Sequence, residues 1–279
     1  IQPAIELADK GFVLTKSEAQ SFNSSRAAFL KYNSVKSVFV SKETWKEGDT
    51  LIQKELAATL VRIRDEGMKG FYEGETARLI TEEMKRGGGL ISKDDLKNYQ
   101  AVVRPAVQFD YKGHTVIGMP MPSSGGLLIK QMLKMIEDRD IASMGFQSPA
   151  SVQLMIEVER RAYADRAEFM GDQDFVKVPV NTLGSDAYLK SRMKDFISGK
   201  ATPSTDVNPG KVNPESEETT HLSVADELGN VVSVTTTLNG GFGSKTVVGG
   251  AGFFLNNEMD DFSVKPGVPN MYGAIGAEA

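Results

Sequence analysis

Apolar residues recur at helical spacing through the first two thirds of the chain. Between Ile52 and Ile63 they fall on one face of a predicted helix, and Gly67 supplies its C-terminal stop. A second helix is predicted over about residues 151–170. The apolar positions predicted to line its buried face are Val152, Met155, Ile156, Tyr163, Ala167 and Met170. The charges of RRAYADR are then expected on the solvent face.

Alternating apolar and polar positions predict β-structure in two places. The segment VQFDYKGHTVIGM alternates around a central Lys-Gly pair, as hairpins do, and PMPSSGG forms a turn that opens a helix. Later in the chain, TTHLSVAD and VVSVTTTLN are dense in β-branched residues, and ELGN with Gly229 makes the turn between them. The glycine-rich remainder is predicted to be irregular.

The stretch between the helical and the β-rich parts differs from both in composition. TPSTDVNPGKVNPESEE is rich in Pro, Ser, Thr, Asn and Glu, as exposed loops are. We therefore divide the chain into a helix-rich part at residues 1–199, a linker at 200–218 and a β-rich part at 219–279. The opening IQPAIELADKGF has the pattern of a helix interior, so the natural chain is expected to continue in both directions.

Composition excludes several kinds of function. With 37 acidic and 32 basic residues the net charge is -5, and no basic cluster marks a surface for nucleic acid or anionic lipid. The sequence contains no cysteine, which excludes thiol nucleophiles, disulfides and thiolate metal sites. No apolar run reaches the roughly 18–20 residues that form a transmembrane segment. The expected partner is a small molecule.

The first residue of the strand that follows the linker carries the candidate chemistry. A hydroxyl there is held rigidly, and cleavage of the preceding peptide bond places a free α-amino group beside it. Such an amine has a free pKa of about 7.7–8.0, so it is partly neutral near neutral pH and can act as a general base. The alternative is that a Thr-Thr pair at a strand edge reflects β-propensity alone.

Longer motifs favour the interpretation in which the first residue of this strand is a nucleophile. ETTHLSVAD, DELGNVVSVTTTLNGGFGS, FFLNNEMDDFS and KPGVPNMYG resemble the start of the small subunit of the γ-glutamyltransferase (γ-glutamyl transpeptidase) family. GGGLISKDDLKNY, MPSSGG, AYADR and GDQDFVKVPV resemble its large subunit. The resemblance implies an α/β (α+β) fold, the αββα sandwich of N-terminal nucleophile hydrolases. This chain would hold an incomplete version, with a helix-rich large-subunit part and the opening strands of the small subunit.

The resemblance assigns roles to two threonines and an asparagine. The first Thr of TTH is the family nucleophile, which implies that Thr219 cleaves the peptide bond after Glu218 and then serves as catalytic residue. Thr237 corresponds to a residue whose hydroxyl orients the nucleophile; strand propensity alone is the alternative. Asn239 corresponds to a substrate contact, and side-chain alternation predicts it on the same strand face as Thr237.

Acidic residues and a loop complete the implied pocket. Glu258 and Asp261 in NNEMDDF correspond to positions that bind the α-amino group of the γ-glutamyl moiety through charge-assisted hydrogen bonds. Asp260 fits a loop-capping role at least as well as a substrate contact. Residues 266–277 resemble the family's lid loop, with Tyr272 as the aromatic gate; an ordinary surface loop is the alternative.

The two histidines, His114 and His221, support neither a triad nor a metal site, because no third ligand lies at useful spacing. His114 is expected to be structural or exposed, and His221 is expected to shape the site beside the nucleophile through a hydrogen bond. No cofactor is expected, since the GGFGS and GGG runs lack the lysine of a phosphate-binding loop.

The implied function is an autoprocessing γ-glutamyl transferase and hydrolase that acts on glutathione-like donors and transfers to water, amino acids or peptides. Its partners would be the large and small subunits of one precursor, located in the periplasm or outside the cell. Alternatives are a poly-γ-glutamate capsule depolymerase, a cephalosporin-type acylase, or a non-catalytic module with the same fold. The family's carboxylate-binding Arg and oxyanion-hole glycines match no position here, so this chain alone is expected to turn over poorly.

Overall fold

The computed structural model describes residues 1–207, 219–261, 265 and 268. Within them the chain forms two compact units, which we describe one at a time. The first unit combines Ile1–Ala101 with Glu218–Glu258, and the second combines Val102–Glu217 with Met259–Ala279. The first unit therefore contains residues from both sides of the predicted linker.

Helices dominate the N-terminal part of the first unit. They are α1 (Gln2–Lys10), α2 (Lys16–Tyr32), α3 (Lys54–Glu66), α4 (Lys69–Tyr72), α5 (Gly74–Gly87) and α6 (Lys93–Asn98). Two short antiparallel strands, β1 (Phe12–Val13) and β2 (Thr50–Leu51), lie between them in the sequence. Helix α3 confirms the predicted helix, except that it begins at Lys54 and leaves Ile52 outside it and 42% exposed. Gly67 ends the helix with a φ of 61°.

Helix α2 begins where its sequence provides a capping box. The Thr15 hydroxyl accepts a hydrogen bond from the Glu18 N–H at 3.3 Å, and the Glu18 carboxylate accepts one from the Thr15 N–H at 2.7 Å. These bonds satisfy two backbone donors that the first helical turn leaves without partners. The Thr15 N–H and the Thr15 hydroxyl, which also donates to the Glu18 carboxylate at 2.7 Å, lower the pKa of Glu18 because they stabilise its charged form.

An aromatic cluster forms the core of the first unit. Phe29 of α2 is fully buried, and its ring centroid lies 5.3 Å from that of Phe242 and 5.6 Å from that of Phe254. Phe39 stacks on Phe254 at 4.6 Å. The Trp45 indole completes the cluster and donates a hydrogen bond to the Phe39 carbonyl at 2.8 Å. Residues on either side of the linker therefore share one core.

The β-rich part of the first unit is a hairpin of β5 (Thr219–Ala225) and β6 (Val231–Thr237), as predicted. Its turn is held by Asp226, whose carboxylate accepts hydrogen bonds from the Asn230 side chain at 2.7 Å and from the Asn230 N–H at 2.8 Å. These bonds lower the pKa of Asp226. Gly229 takes the positive φ that the turn requires.

The second unit begins with the predicted hairpin and continues with helices. The elements are β3 (Val107–Tyr111), β4 (His114–Gly118), α7 (Gly125–Ile136), α8 (Pro149–Phe169), α9 (Val180–Leu183) and α10 (Asp186–Arg192). Lys112 and Gly113 form the hairpin turn, both with positive φ, and His114 beside them is exposed as expected. Helix α7 opens at SSGG, also as predicted.

The buried face of α8 differs from the predicted one. Val152, Met155 and Ile156, which the sequence assigns to the core, are all more than 40% exposed. The apolar core of the second unit takes Leu154, Val158 and Ala162 from α8 instead and packs them against α7. The other buried positions of α8 include the charged residues Glu157, Arg161 and Asp165. The predicted solvent-facing charges of RRAYADR are thus wrong for Arg161 and Asp165, because each gains partners only through the tertiary fold.

Candidate active site

The predicted nucleophile position is the first residue of β5. Thr219 lies directly opposite Thr237, the last residue of β6, in the antiparallel register. His221 pairs with Thr235 and Ser223 pairs with Ser233 two and four residues further along. Since successive strand residues alternate between faces, these pairs occupy the same face of the hairpin as the Thr219–Thr237 register position.

Hydroxyl groups surround His221 on this face. Its Nδ1 lies 2.8 Å from the Thr235 hydroxyl, and its Nε2 lies 3.0 Å from the Ser233 hydroxyl and 3.2 Å from that of Ser223. The imidazole is therefore oriented by three neighbours. His221 therefore has hydrogen-bond partners along the hairpin, as its expected role requires.

Apart from Thr220 and Thr236 at its end, the other face of the hairpin is apolar. It carries Leu222 and Val224 from β5 and Val232 and Val234 from β6, all of them exposed. The hairpin therefore separates a polar face from an apolar one, which is the pattern of a strand pair that contributes one side to a packed sheet.

Strand β6 ends at Thr237, and the chain then turns sharply. Asn239 has a φ of 73° and lies outside the strand, so the predicted alternation that placed it on the Thr237 face is wrong. The two residues meet in another way: the Asn239 N–H donates a hydrogen bond to the Thr237 hydroxyl at 2.9 Å. This bond fixes the position of the Thr237 oxygen at the end of the hairpin.

A second segment locks this turn in place. The buried Asn239 side chain donates from Nδ2 to the Asn257 carbonyl at 3.0 Å. Asn257 makes two further hydrogen bonds with this turn. Its N–H donates to the Leu238 carbonyl at 3.1 Å, and its side-chain Oδ1 accepts from the Gly240 N–H at 2.9 Å. The pairing holds residues 238–240 against residue 257. The sequence analysis assigned Asn257 no role, although the Asn-Asn pair directly before EMDD is a signal that could have identified it.

Glu258 follows immediately and opens the short 3-10 helix Glu258–Asp261. Its N–H donates to the Asn256 side chain at 3.0 Å, so the turn is capped. The hydrogen bonds of Asn257 bring the neighbouring Glu258 close in space to the turn at Asn239. Asp261 is the last residue of the same 3-10 helix, and both it and Asp260 are exposed.

An open depression of about 280 Å³ lies at this end of the hairpin. Its lining residues come from the ends of both strands and from the turn that follows them. They are Thr220, Thr236, Thr237, Leu238, Gly240, Gly241 and Phe242. A small polar substrate group can therefore reach the first residues of β5 from solvent.

Some predicted features fall outside the described residues. These are Glu218, the linker from residue 208 onward, Tyr272 and nearly all of the lid segment. In the part of the chain that the structure describes, no helix has the length and apolar character needed to cross a bilayer.

A family model described as Gamma-glutamyltranspeptidase matches residues 1–279. The chain belongs to the γ-glutamyltranspeptidase family. The predicted resemblance is confirmed over its full length.

Curated relatives agree with this assignment. The glutathione hydrolase proenzyme of Escherichia coli K12 is 46% identical over 282 residues, which cover 100% of this chain and 49% of that protein. The capsule biosynthesis protein CapD proenzyme of Bacillus anthracis is 37% identical, over 94% of this chain and 46% of its own length. The chain thus spans about half the length of the curated relatives it matches.

Solved structures of the γ-glutamyltranspeptidase family share the fold. The γ-glutamyltranspeptidase of Helicobacter pylori matches with a TM-score of 0.70 at 39% identity, over 75% of this chain and 61% of that one. A cephalosporin acylase from Bacillus halodurans matches 100% of this chain and 52% of its own at a TM-score of 0.80; at 22% identity it supports the fold alone. The predicted N-terminal nucleophile hydrolase fold is confirmed.

Proposed function

We propose that the full-length protein is a self-processing γ-glutamyl transferase and hydrolase with Thr219 as nucleophile. The observation that carries the proposal is the geometry at the end of the hairpin. Thr219 opens β5 opposite Thr237, and the turn at Asn239 is locked to the segment that leads into Glu258. Segments that are distant in sequence thus meet at the end of the hairpin at which β5 begins.

Self-cleavage begins when the Thr219 hydroxyl oxygen attacks the carbonyl carbon of Glu218. The C–N bond between the two residues breaks, the nitrogen takes up a proton to become the α-amine of Thr219, and an ester remains on its side-chain oxygen. Water hydrolyses this ester, which leaves a carboxylate on Glu218 and restores the hydroxyl. The new amine then lies beside the hydroxyl that it activates.

In turnover the same hydroxyl attacks the δ-carbonyl carbon of a γ-glutamyl amide. The α-amine of Thr219 accepts the hydroxyl proton and passes it to the departing amine, so that a γ-glutamyl ester remains on the enzyme. Water or the amine of an acceptor attacks this ester and releases glutamate or a new γ-glutamyl amide. Glutathione-like donors and amino acid or peptide acceptors are the proposed substrates.

The other site residues bind or orient. Thr237, whose hydroxyl is fixed by the Asn239 N–H, orients the nucleophile across the strand pair. Asn239, Glu258 and Asp261 bind the γ-glutamyl group, and the two carboxylates accept hydrogen bonds from its ammonium.

The test compares Thr219→Val with Thr219→Ser in the full-length protein. Val preserves the shape of Thr but lacks the hydroxyl, whereas Ser preserves the hydroxyl. We expect the wild type to yield a new N-terminus at residue 219 and to release chromophore from a γ-glutamyl anilide, faster with a dipeptide acceptor. Thr219→Ser retains part of both activities and Thr219→Val loses both. An uncut wild-type precursor, or an active Thr219→Val protein, excludes the proposal.

The same preparations separate the alternatives. Relatives named for capsule biosynthesis and for acylase activity also match this chain, namely CapD of Bacillus anthracis and acylase ACY 1 of Pseudomonas. A cleaved protein that hydrolyses poly-γ-glutamate or an acylated cephalosporin in preference to the anilide has one of those functions instead. A protein that never cleaves itself and turns over nothing is a non-catalytic module.

We also infer that the two cleavage products act together as large and small subunits in the periplasm or outside the cell. Family resemblance supports this inference, since the Escherichia coli relative is named a proenzyme, that is, a precursor that is processed. Fractionation of cells that express the full-length gene tests the location. Recovery of all activity in the cytoplasm contradicts it.

A further inference from the structure

Left-handed backbone is concentrated in the segment that follows β6. Among the described residues, five positions other than glycine have a positive φ, and three of them lie between residues 239 and 245. These three are Asn239 at 73°, Phe242 at 64° and Lys245 at 65°. Asparagine tolerates this conformation, but phenylalanine and lysine adopt it only where surrounding contacts offset its cost. Residues 239–245 are called the wall loop here, because three of them line the depression at the end of the hairpin.

The Lys245 side chain ties the wall loop to itself. Its ammonium donates hydrogen bonds to the Gly241 carbonyl at 2.7 Å and to the Gly243 carbonyl at 3.1 Å. Its backbone N–H donates to the Phe242 carbonyl at 2.9 Å. Because the donor is charged, the two side-chain bonds are of the stronger kind. Gly241 is one of the residues that line the depression, so Lys245 acts directly on its wall.

Asn33, the residue directly after α2, holds the far end of the wall loop. Its side-chain Nδ2 donates to the Lys245 carbonyl at 2.8 Å and to the Phe29 carbonyl at 2.9 Å. Its Oδ1 accepts a hydrogen bond from the Val247 N–H at 2.6 Å. One amide group thus uses both its donor and its acceptor on the backbone of residues 245 and 247. It joins the end of α2 to a segment that lies 212 positions further along the chain.

The wall loop is therefore fixed at both ends. Asn257 holds its start at Asn239 and Gly240, and Lys245 and Asn33 hold its end. We propose that Asn33 and Lys245 are positioning residues for donor binding: they keep the wall loop in its left-handed course and so fix the wall on which the γ-glutamyl group rests. This inference rests on the proposed function, which assigns the depression to the γ-glutamyl donor.

The kinetic signature of this role is a change in KM with little change in kcat. A wall loop without its anchors populates other conformations, and the apparent affinity falls in proportion to the fraction of molecules that keep the binding-competent one. If about one molecule in ten keeps it, KM rises about tenfold. Once the donor is bound, the loop is in place and the reacting groups are unchanged, so kcat is largely retained.

The experiment measures kcat and KM for a γ-glutamyl anilide in the full-length protein after self-cleavage is complete. Lys245→Met keeps the length of the side chain but removes its donors, whereas Lys245→Arg retains a charged donor. Asn33→Ala removes the clamp at the end of α2. The melting temperature of each protein is measured in parallel.

The same unit provides a matched control for each variant. Asn23 of α2 forms an equivalent clamp on another segment: its Nδ2 donates to the Trp45 carbonyl and its Oδ1 accepts from the Trp45 N–H, both at 2.8 Å. Asn23→Ala therefore removes the same kind of bonds away from the depression. Lys54→Met removes a lysine that forms an ion pair with Asp9 at 2.7 Å.

We expect Lys245→Met and Asn33→Ala each to raise KM about tenfold, and Lys245→Arg to restore most of the wild-type value. Asn23→Ala and Lys54→Met keep the wild-type KM, even if Asn23→Ala lowers the melting temperature as much as Asn33→Ala does. If Asn33→Ala does not fold, Lys245→Met decides alone.

A folded Lys245→Met or Asn33→Ala protein with the wild-type KM overturns this inference and leaves the proposed function intact. So does an equal rise of KM in Asn23→Ala and Asn33→Ala, since a general loss of stability then accounts for the effect. A fall in kcat without a rise in KM overturns it as well. A wild type that cleaves itself but does not turn over the γ-glutamyl anilide overturns the proposed function, and this inference with it.

Discussion

At the scale of single residues, Asn239 shows how a local conformation positions a site. Its φ of 73° lies in the left-handed region, which asparagine tolerates better than most residues. This conformation turns the backbone N–H toward the Thr237 hydroxyl and the side chain toward the Asn257 carbonyl. Side-chain alternation cannot place Asn239 relative to Thr237, because β6 ends at Thr237 and Asn239 lies beyond it.

This conformation predicts an unusual order of stability at position 239. Asn239→Ala loses the side-chain bond and also places an alanine at positive φ, whereas Asn239→Gly loses the bond alone. We expect the Ala variant to be less stable than the Gly variant by about 1 kcal/mol. Urea unfolding of both, in a Thr219→Val background that prevents cleavage, measures the difference. An Ala variant as stable as the Gly variant contradicts the left-handed conformation.

At the scale of elements, helix α8 shows that charge and exposure need not coincide. Glu157, Arg161 and Asp165 are buried, and each is bonded within the second unit. Burial opposes ionisation of Glu157, but hydrogen bonds from Arg161 and Thr202 outweigh it and lower its pKa. Burial raises the pKa of Asp165, with Arg192 opposing the shift only in part. The two carboxylates therefore make stability depend on pH with opposite signs.

The lowered pKa of Glu157 predicts a pH dependence for Glu157→Gln. A carboxylate with a folded pKa below its unfolded value stabilises the protein above the unfolded value, which is about 4.3 for Glu, and loses that contribution as the pH falls through the folded pKa. The wild type is thus expected to exceed the variant in unfolding free energy at pH 7, and the gap to narrow below about pH 4. Denaturant titrations at several pH values measure it. A difference in unfolding free energy between wild type and Glu157→Gln that grows as the pH falls contradicts the prediction.

The hairpin β3–β4 and helix α7 make a contact that only glycine permits. A Cβ on Gly126 would lie 2.2 Å from the Met119 carbonyl oxygen, whereas a Cβ on Gly125 would meet nothing closer than the Ser123 hydroxyl at 3.6 Å. The two glycines of SSGG therefore differ in kind. One is required by the close approach of two backbones, and the other is a replaceable helix residue.

Two alanine substitutions test this difference. Gly126→Ala is expected to destabilise the second unit by about 3 kcal/mol, because the clash is with backbone that cannot rotate away. Gly125→Ala serves as the matched control and is expected to be neutral or stabilising by up to about 1 kcal/mol. Thermal unfolding monitored by circular dichroism distinguishes them. Equal melting temperatures for the two variants mean that the backbones are further apart than described.

At the scale of the whole molecule, the first unit is built from both sides of the proposed cleavage. Phe29 packs on Phe242, and the Asn33 side chain accepts from the Val247 N–H at 2.6 Å. The buried Thr59 hydroxyl donates to the Ala251 carbonyl at 2.9 Å. Cutting the chain before Thr219 leaves all these contacts in place.

The two products of self-cleavage are therefore expected to stay together. In size-exclusion chromatography the cleaved full-length protein elutes as one species, and the products separate only in denaturant. Phe242→Ala removes a shared aromatic contact and is expected to cost about 3 kcal/mol of stability against urea. Elution of separate products in native buffer argues that the shared core does not hold the halves together.

Local sequence was sufficient to predict most of the helices and strands and to identify the γ-glutamyltranspeptidase family. Capping pairs, turn glycines and β-branched runs act over a few residues, so α3, α7 and both hairpins were predictable, and the motifs around Thr219 identified the candidate chemistry. Tertiary structure alone decided which charges of α8 are buried, because Arg161 meets Asp195 across 34 positions of chain. It also decided that Asn257 locks Asn239 and that α2 and α3 share a core with residues beyond the linker. Such contacts depend on complementarity between distant segments, which periodicity within one segment does not encode.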